Sequence, residues 1–207
     1  MDKVFKVLGI AGSLRAGSFN QAALRAAKKL APAGMELEIF ERLGEIPPFN
    51  QDNENNPPEM VVELKNKIKA ADAILFVTPE YNYSVPGVLK NAIDWASRPY
   101  GQSAWEGKPV AIAGASIGNI ATARAQYHLR QMFVFLNMFP LNRPEVMIGM
   151  APEKFDAEGN LTDERTKEAI RGQLEALAGL DQKNRREIKK KYKVIKCVLE
   201  SRAELRV

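Results

Sequence analysis

Cysteine and histidine are almost missing from this chain. Its 207 residues hold one of each, Cys197 and His128. One thiol excludes an internal disulfide framework, and a single Cys and a single His cannot build a zinc centre of the usual composition. A lone thiol also suits a reducing cytoplasm. No apolar run approaches the roughly 20 residues that cross a bilayer. The start, Met1-Asp-Lys-Val-Phe-Lys6, goes straight into a strand pattern, so no signal peptide is expected. Also absent is a nucleophile–base–acid set of the kind covalent hydrolases need. His128 lies in a helical segment beside Tyr127 and reads as packed or interface-bound, and Cys197 has no partner in the chain.

Excess charge is confined to one end. The chain carries +5, but residues 181–207 hold ten Lys/Arg against four acids, a net +6, so the remainder sums to −1. A globally basic nucleic-acid surface is therefore not expected. Apolar residues make up 45% and charged residues 27% of the chain, as in ordinary globular proteins. The length suits one large domain with a full core.

What is present is a regular alternation. Val4–Ala11 and Ala73–Thr78 are nearly continuous apolar runs, the pattern of strands covered on both faces. Further strands are predicted at Met35–Phe40, Pro109–Ala115 and Glu145–Ile148. Helices are predicted over Ser18–Leu30, Pro57–Ala70, Gly87–Ser97, Ala121–Asn137 and Asp163–Leu180. Residues 41–58 and 98–108 read as loops. Strand–helix alternation implies a parallel sheet with helices on both faces. The flavodoxin-like order 2-1-3-4-5 is expected, in an α/β doubly wound five-stranded sheet formed by residues 1–180, with 181–207 as a basic tail.

In such sheets ligands bind beyond the carboxyl ends of the strands, and three strand ends run into unusual loops. The first, Gly12-Ser-Leu-Arg-Ala-Gly-Ser-Phe-Asn20, lacks the Gly-x-Gly-x-x-Gly spacing and the Walker lysine. It is dense in donors: Ser13, Arg15, Ser18, Asn20 and Gln21. With backbone N–H groups at a helix start, these suit a phosphate monoester. Ser18 as a simple helix cap and Arg15 as a solvated charge is the bland alternative. The second, Pro79-Glu-Tyr-Asn-Tyr-Ser-Val-Pro86, offers peptide groups, Asn82 and Ser84 to the edge of a flat heteroaromatic ring, and Tyr81 and Tyr83 as ring faces. Here the alternatives are packing for the tyrosines and capping for Glu80. The third, Gly114-Ala-Ser-Ile-Gly-Asn119, has small residues that allow close backbone approach.

The pattern Gly12-Ser-Leu-Arg-x-x-Ser-x-Asn20, with Pro79-Glu-Tyr-Asn-x-Ser-x-Pro-Gly-x-Leu-Lys-Asn-Ala-Ile-Asp-Trp95, closely resembles the NADPH-dependent FMN reductase family, above all its bacterial chromate and quinone reductases. The resemblance runs from about Lys3 to Leu180. It implies a flavodoxin-like fold holding noncovalent FMN, with NADPH or NADH as electron donor. By this resemblance Ser13, Arg15, Ser18, Asn20 and Gln21 match phosphate-binding positions. Pro79, Glu80, Tyr81, Asn82 and Ser84 match the flavin-ring loop, and Ser116 and Gly118 the third loop. Arg124, Tyr127 and Glu145 match a hydrogen-bond network at a tetramer interface, which implies a homotetramer. The acceptors implied are quinones, chromate and free flavins. No residue is expected to be catalytic in its own right, because the flavin carries the redox chemistry, and no metal is expected. A flavodoxin-type electron carrier and a flavin-free regulatory module on the same fold are the other readings.

Overall fold

The computed structural model describes residues 4–181 and 183. Strands β1 (Phe5–Ala11), β2 (Met35–Phe40), β3 (Ala73–Val77), β4 (Pro109–Ala115), β5 (Phe139–Pro140) and β6 (Val146–Ile148) form one parallel sheet. Helices α1 (Phe19–Lys29), α2 (Glu59–Ala70), α3 (Gly87–Ala96) and α4 (Ala123–Phe135) connect them, and α5 spans 164–181. The strand order is β2-β1-β3-β4-β5, as expected.

The alternation of side chains along each strand sorts the core into two layers. On one face Leu8, Ile10, Ile74, Phe76, Val110 and Ile112 pack under α2, α3 and α4. That layer is aromatic: the Phe76 ring stacks on Phe133 at 5.9 Å and leans on Trp105 at 5.6 Å. On the other face Ala73, Ala111, Ala113 and Ala115 meet Ala22, Ala23, Ala26 and Ala27 of α1, beside α5. Small residues on both sides let α1 approach the sheet closely, and α1 starts at the loop that matters most below.

The fifth position of the sheet differs from expectation. A single strand at Glu145–Ile148 was predicted, but two short pieces flank an interruption. Pro109 pairs Phe139, and Ala113 pairs Val146. Between the pieces, Gln173 of α5 donates Nε2 to the carbonyls of Ile112 and Pro144 at 2.9 and 3.1 Å. From the opposite face, Gln126 of α4 donates to the Val146 carbonyl at 3.0 Å. Two buried amides thus fill the gap that two short strands leave in the ladder. The chain's end also departs from the predicted boundary: α5 does not stop at Leu180, since Asp181 is helical and buried. Cys197 and nearly all of the basic tail lie outside the described residues.

Candidate functional site

Strands β1, β3 and β4 are neighbours, so their carboxyl ends bring the three loops together. Ala11 pairs Val77, and Val77 pairs Ala113. The loop roots are packed around Thr78, which is fully buried. A Cβ on Gly12 would lie 2.8 Å from Thr78 Oγ1. One on Gly114 would lie 2.5 Å from the Thr78 carbonyl and 1.9 Å from Thr122 Oγ1. Only glycine permits this approach, and it draws the three loops to one point.

The first loop offers a cradle of backbone N–H donors. Ser18 caps α1: its Oγ accepts from the N–H of Asn20 at 3.2 Å and of Gln21 at 3.5 Å. Gln21 Nε2 closes the loop on the Ser13 carbonyl at 2.8 Å. Among the described residues, the N–H groups of Ser13, Leu14, Arg15, Ala16 and Gly17 have no acceptor. Arg15 folds its guanidinium back over the loop, with Nη1 3.1 Å from where a Gly17 Cβ would stand. Asn20, matched to a phosphate position, reaches across to β4 with its side chain. It is buried, and its amide clamps the end of β4: Nδ2 donates to the Ala115 carbonyl at 2.9 Å and Oδ1 accepts the Ala115 N–H at 2.8 Å. A small polar residue among the alanines of α1, opposite the alanines that alternate along β4, is the signal that would have pointed to this clamp. On the β2 side of the cradle a cavity of about 260 Å³ opens among Ser13, Gln21, Arg25 and Glu41.

The second loop is a tight hairpin. Tyr81 and Ser84 exchange backbone hydrogen bonds of 3.0 and 2.9 Å. Asn82 and Tyr83 between them have φ of 51° and 63°. Two positive φ values define a primed turn. Asparagine accepts that conformation readily, whereas a bulky tyrosine is strained there by about 1–3 kcal/mol. The hairpin is tied to the first half of α4. Glu80 Oε2 accepts the N–H of Arg124 at 2.9 Å and of Ala125 at 3.1 Å, and Oε1 meets Arg124 Nη1 at 3.2 Å. The Arg124 guanidinium lies 4.1 Å above the Tyr83 ring. Ser84 Oγ sits 2.9 Å from His128 Nδ1.

Glu80 therefore caps α4 across the site instead of offering a free carboxylate to a ring. Sequence reasoning missed His128 here. Its position four residues after Arg124, on one helix face, was the available signal. Asn91 and Trp95 of α3 brace the loop before α2: Asn91 accepts the Phe49 N–H and donates to the Pro47 carbonyl, and Trp95 Nε1 donates to the Pro47 carbonyl at 2.8 Å.

In the third loop Ser116 Oγ accepts the Gly118 N–H at 3.3 Å, and Gly118 has open space around it. Exposed apolar side chains gather on these same loops: Leu14, Tyr81, Tyr83, Ile117 and Ile120. Such a rim beside an anion cradle fits a ligand that joins a phosphate to a flat apolar ring. Of the three residues matched to a subunit interface, Arg124 and Glu145 have partners within the chain. Arg124 pairs with Glu80, and Glu145 lies 3.6 Å from Arg130. Tyr127 is exposed.

A doubly wound sheet with a cradle of backbone donors after its first strand and polar loops after its third and fourth has the layout of a mononucleotide-binding protein. The sequence model of the NADPH-dependent FMN reductases matches residues 5–153. An NAD(P)H-dependent FMN reductase of Pseudomonas aeruginosa is 56% identical over 178 residues, 86% of this chain and 95% of that protein. A quinone reductase of Escherichia coli is 45% identical over 179 residues, covering 85% and 95%. Among solved structures, the flavoenzyme NAD(P)H:(acceptor) oxidoreductase FerB of Paracoccus denitrificans superposes with a TM-score of 0.80 at 39% identity, covering 87% of this chain and 99% of that one. The chain belongs to the NADPH-dependent FMN reductase family, and it is an FMN-dependent oxidoreductase using NAD(P)H.

Proposed function

We propose that this protein transfers electrons from NADPH or NADH to quinones through FMN held at the three loops, and that chromate and free flavins serve as further acceptors. The observation that carries the reading is the cradle of five unpaired amides, Ser13 to Gly17, under the Arg15 guanidinium. A phosphate dianion supplies the acceptors this set wants, with charge-assisted bonds from arginine. The Ser18 hydroxyl still has its proton to donate while its oxygen caps α1. Peptide groups of Pro79 to Ser84 and of Ser116 to Gly118 would face the ring edge, with Tyr81 and Ile117 as apolar borders.

Bound FMN would accept a hydride from NAD(P)H and pass two electrons on to a quinone, which with two protons becomes the hydroquinone. The chain's own residues bind, orient and shield, and the site would take donor and acceptor in turn. That order predicts ping-pong kinetics. Stopped-flow mixing of FMN-loaded protein with NADPH should bleach the flavin band, and a naphthoquinone should restore it. A flavin that stays oxidised under excess NADPH and NADH would defeat the enzyme reading and favour an electron carrier.

Self-association fits the outer face of α4, where Tyr127, Val134 and Phe135 are exposed, Phe135 by 75%. With Arg124 and Glu145 on or beside this face, a homotetramer is the assembly we propose. Among the described residues no helix is long and apolar enough to cross a membrane, and the single cysteine agrees with work in the cytoplasm.

A further inference from the structure

A second hollow lies along α1, away from the ends of β3 and β4. Ala22, Arg25, Ala26 and Lys29 fall at i, i+3, i+4 and i+7 and so share one face of the helix. That face meets the turn 156–161: a Cβ on Gly159 would stand 3.5 Å from Arg25 Nη2 and 3.9 Å from the Ala22 Cβ. Helix and turn border a cavity of about 250 Å³, whose apolar lining includes Ala22, Ala26 and Leu161. The two alanines leave the room. The turn is a stiff wall: the Asp156 carboxylate accepts the Asn160 N–H at 2.7 Å, its carbonyl accepts the Gly159 N–H at 3.0 Å, and Phe155 bridges Leu161. Three cations line the cavity, Arg25, Lys29 and Lys167, against one carboxylate, Glu158. Lys167 meets Glu164 at 2.7 Å, whereas Arg25 and Lys29 have no acid within ion-pair reach among the described residues. Lys29, in the last turn of α1, complements the helix dipole; Arg25, a turn earlier, lies beyond that effect and has no acid to meet.

We propose that this cavity is a second ligand site, for a compact organic dianion that carries an apolar group, of the aryl phosphate kind. The Arg25 guanidinium can fork onto two oxygens of such a ligand, and Lys29 adds a point charge. The apolar group would cover the alanine and leucine surface between helix and turn, which an inorganic anion cannot do. Because the turn is closed by its own hydrogen bonds, little ordering is left for binding to oppose. The inference does not depend on the flavin reading. Arg25 does border the cavity beside Ser13 and Gln21 as well, so the first loop has to be filled during the test.

The probe is phenyl phosphate, titrated by calorimetry into FMN-loaded protein while flavin fluorescence is followed. Binding below about 1 mM is expected, with inorganic phosphate at least about tenfold weaker. Arg25→Gln should weaken phenyl phosphate about tenfold. Glu158→Gln should act in the opposite sense and tighten it about threefold, since it removes the carboxylate that faces the same cavity. Arg25 and Glu158 are both exposed, so neither change endangers the fold. No heat up to about 10 mM phenyl phosphate, an affinity unmoved by Arg25→Gln, or equal affinity for inorganic phosphate each overturns the proposal. Release of flavin during the titration overturns it too, because the probe would then be entering the first loop. A chain that takes up no FMN defeats the proposed function instead, and the same variants then decide this site on the apoprotein.

Discussion

Arg15 and Asn20 stand five residues apart in one loop, and their side chains have opposite fates. Arg15 is exposed and meets no acid among the described residues; Asn20 is buried and joins α1 to β4 by two hydrogen bonds. Arg15→Ala should leave the thermal stability of the apoprotein in place and weaken FMN about 10- to 100-fold, with riboflavin almost insensitive. The basis is about 1.5–3 kcal/mol for a hydrogen bond to a charged group and about 1.4 kcal/mol per decade. Fluorescence titration of both ligands checks it, and equal losses for the two would remove the phosphate assignment. Asn20→Ala should do the reverse. It strands the buried Ala115 amide and carbonyl, at a cost of about 1–3 kcal/mol, and Tm should fall by several degrees.

Asp163, at the start of α5, gives a pH prediction. Its carboxylate accepts the Thr166 hydroxyl and the Thr166 N–H, the latter at 2.8 Å. These bonds, the hydroxyl's first, hold its pKa below the ordinary aspartate value. A pKa lower in the folded than in the unfolded chain means the stabilisation is complete above the unfolded value. It is lost as pH falls through the folded one, below about pH 4. Asp163→Asn should thus melt below wild type at pH 7 and approach it at pH 3. A gap that widens toward acid would contradict this.

Among the elements, the split fifth position of the sheet is the least expected. Residues 142–145 leave the ladder, and the carbonyls of Ile112, Pro144 and Val146 take their donors from the glutamines of α4 and α5. These helices therefore do more than cover the sheet: each completes its hydrogen bonding from one face. Gln173→Leu keeps the bulk and removes the donor for two carbonyls. It should cost about 1–3 kcal/mol and lower Tm by several degrees, with FMN affinity retained because the gap lies away from the three loops. Loss of FMN at an unchanged Tm would show that the gap and the site are coupled. The α4 helix serves the site as well. Its first turn is capped by Glu80, and its side chains hold the hairpin.

On the scale of the whole molecule, the chain divides into a near-neutral reductase body and a basic end. Because Asp181 is buried in α5, the body extends at least to that residue, and a cut at Leu180 would injure the helix. A chain ending at Lys183 should keep its FMN, its quinone reductase rate and its mass by light scattering. Loss of flavin or of mass in that protein would make the tail structural. Measured on the full chain with FMN bound, the same mass decides the homotetramer, and a monomer would count against the α4 interface.

Strand order, the two-faced sheet and the three loops were open to reading from the sequence, because buried parallel strands are short apolar runs and the loops between them break that pattern sharply. Met35–Phe40 and Pro109–Ala115 were placed to the residue. The family, too, lies in local motifs, since the donor-rich loop Gly12–Asn20 and the loop Pro79–Pro86 are each built from consecutive residues. Partners across the fold were not open to reading. Nothing local says that Asn20 belongs to Ala115, 95 residues away, or that Glu80 caps a helix 44 residues on. A polar side chain is marked by the sequence as a donor or an acceptor, but which group it meets depends on which loops the sheet order brings together. The two-residue strand β5 escaped for the same reason: Phe139 and Pro140 carry no strand signal, and only β4 beside them makes them one.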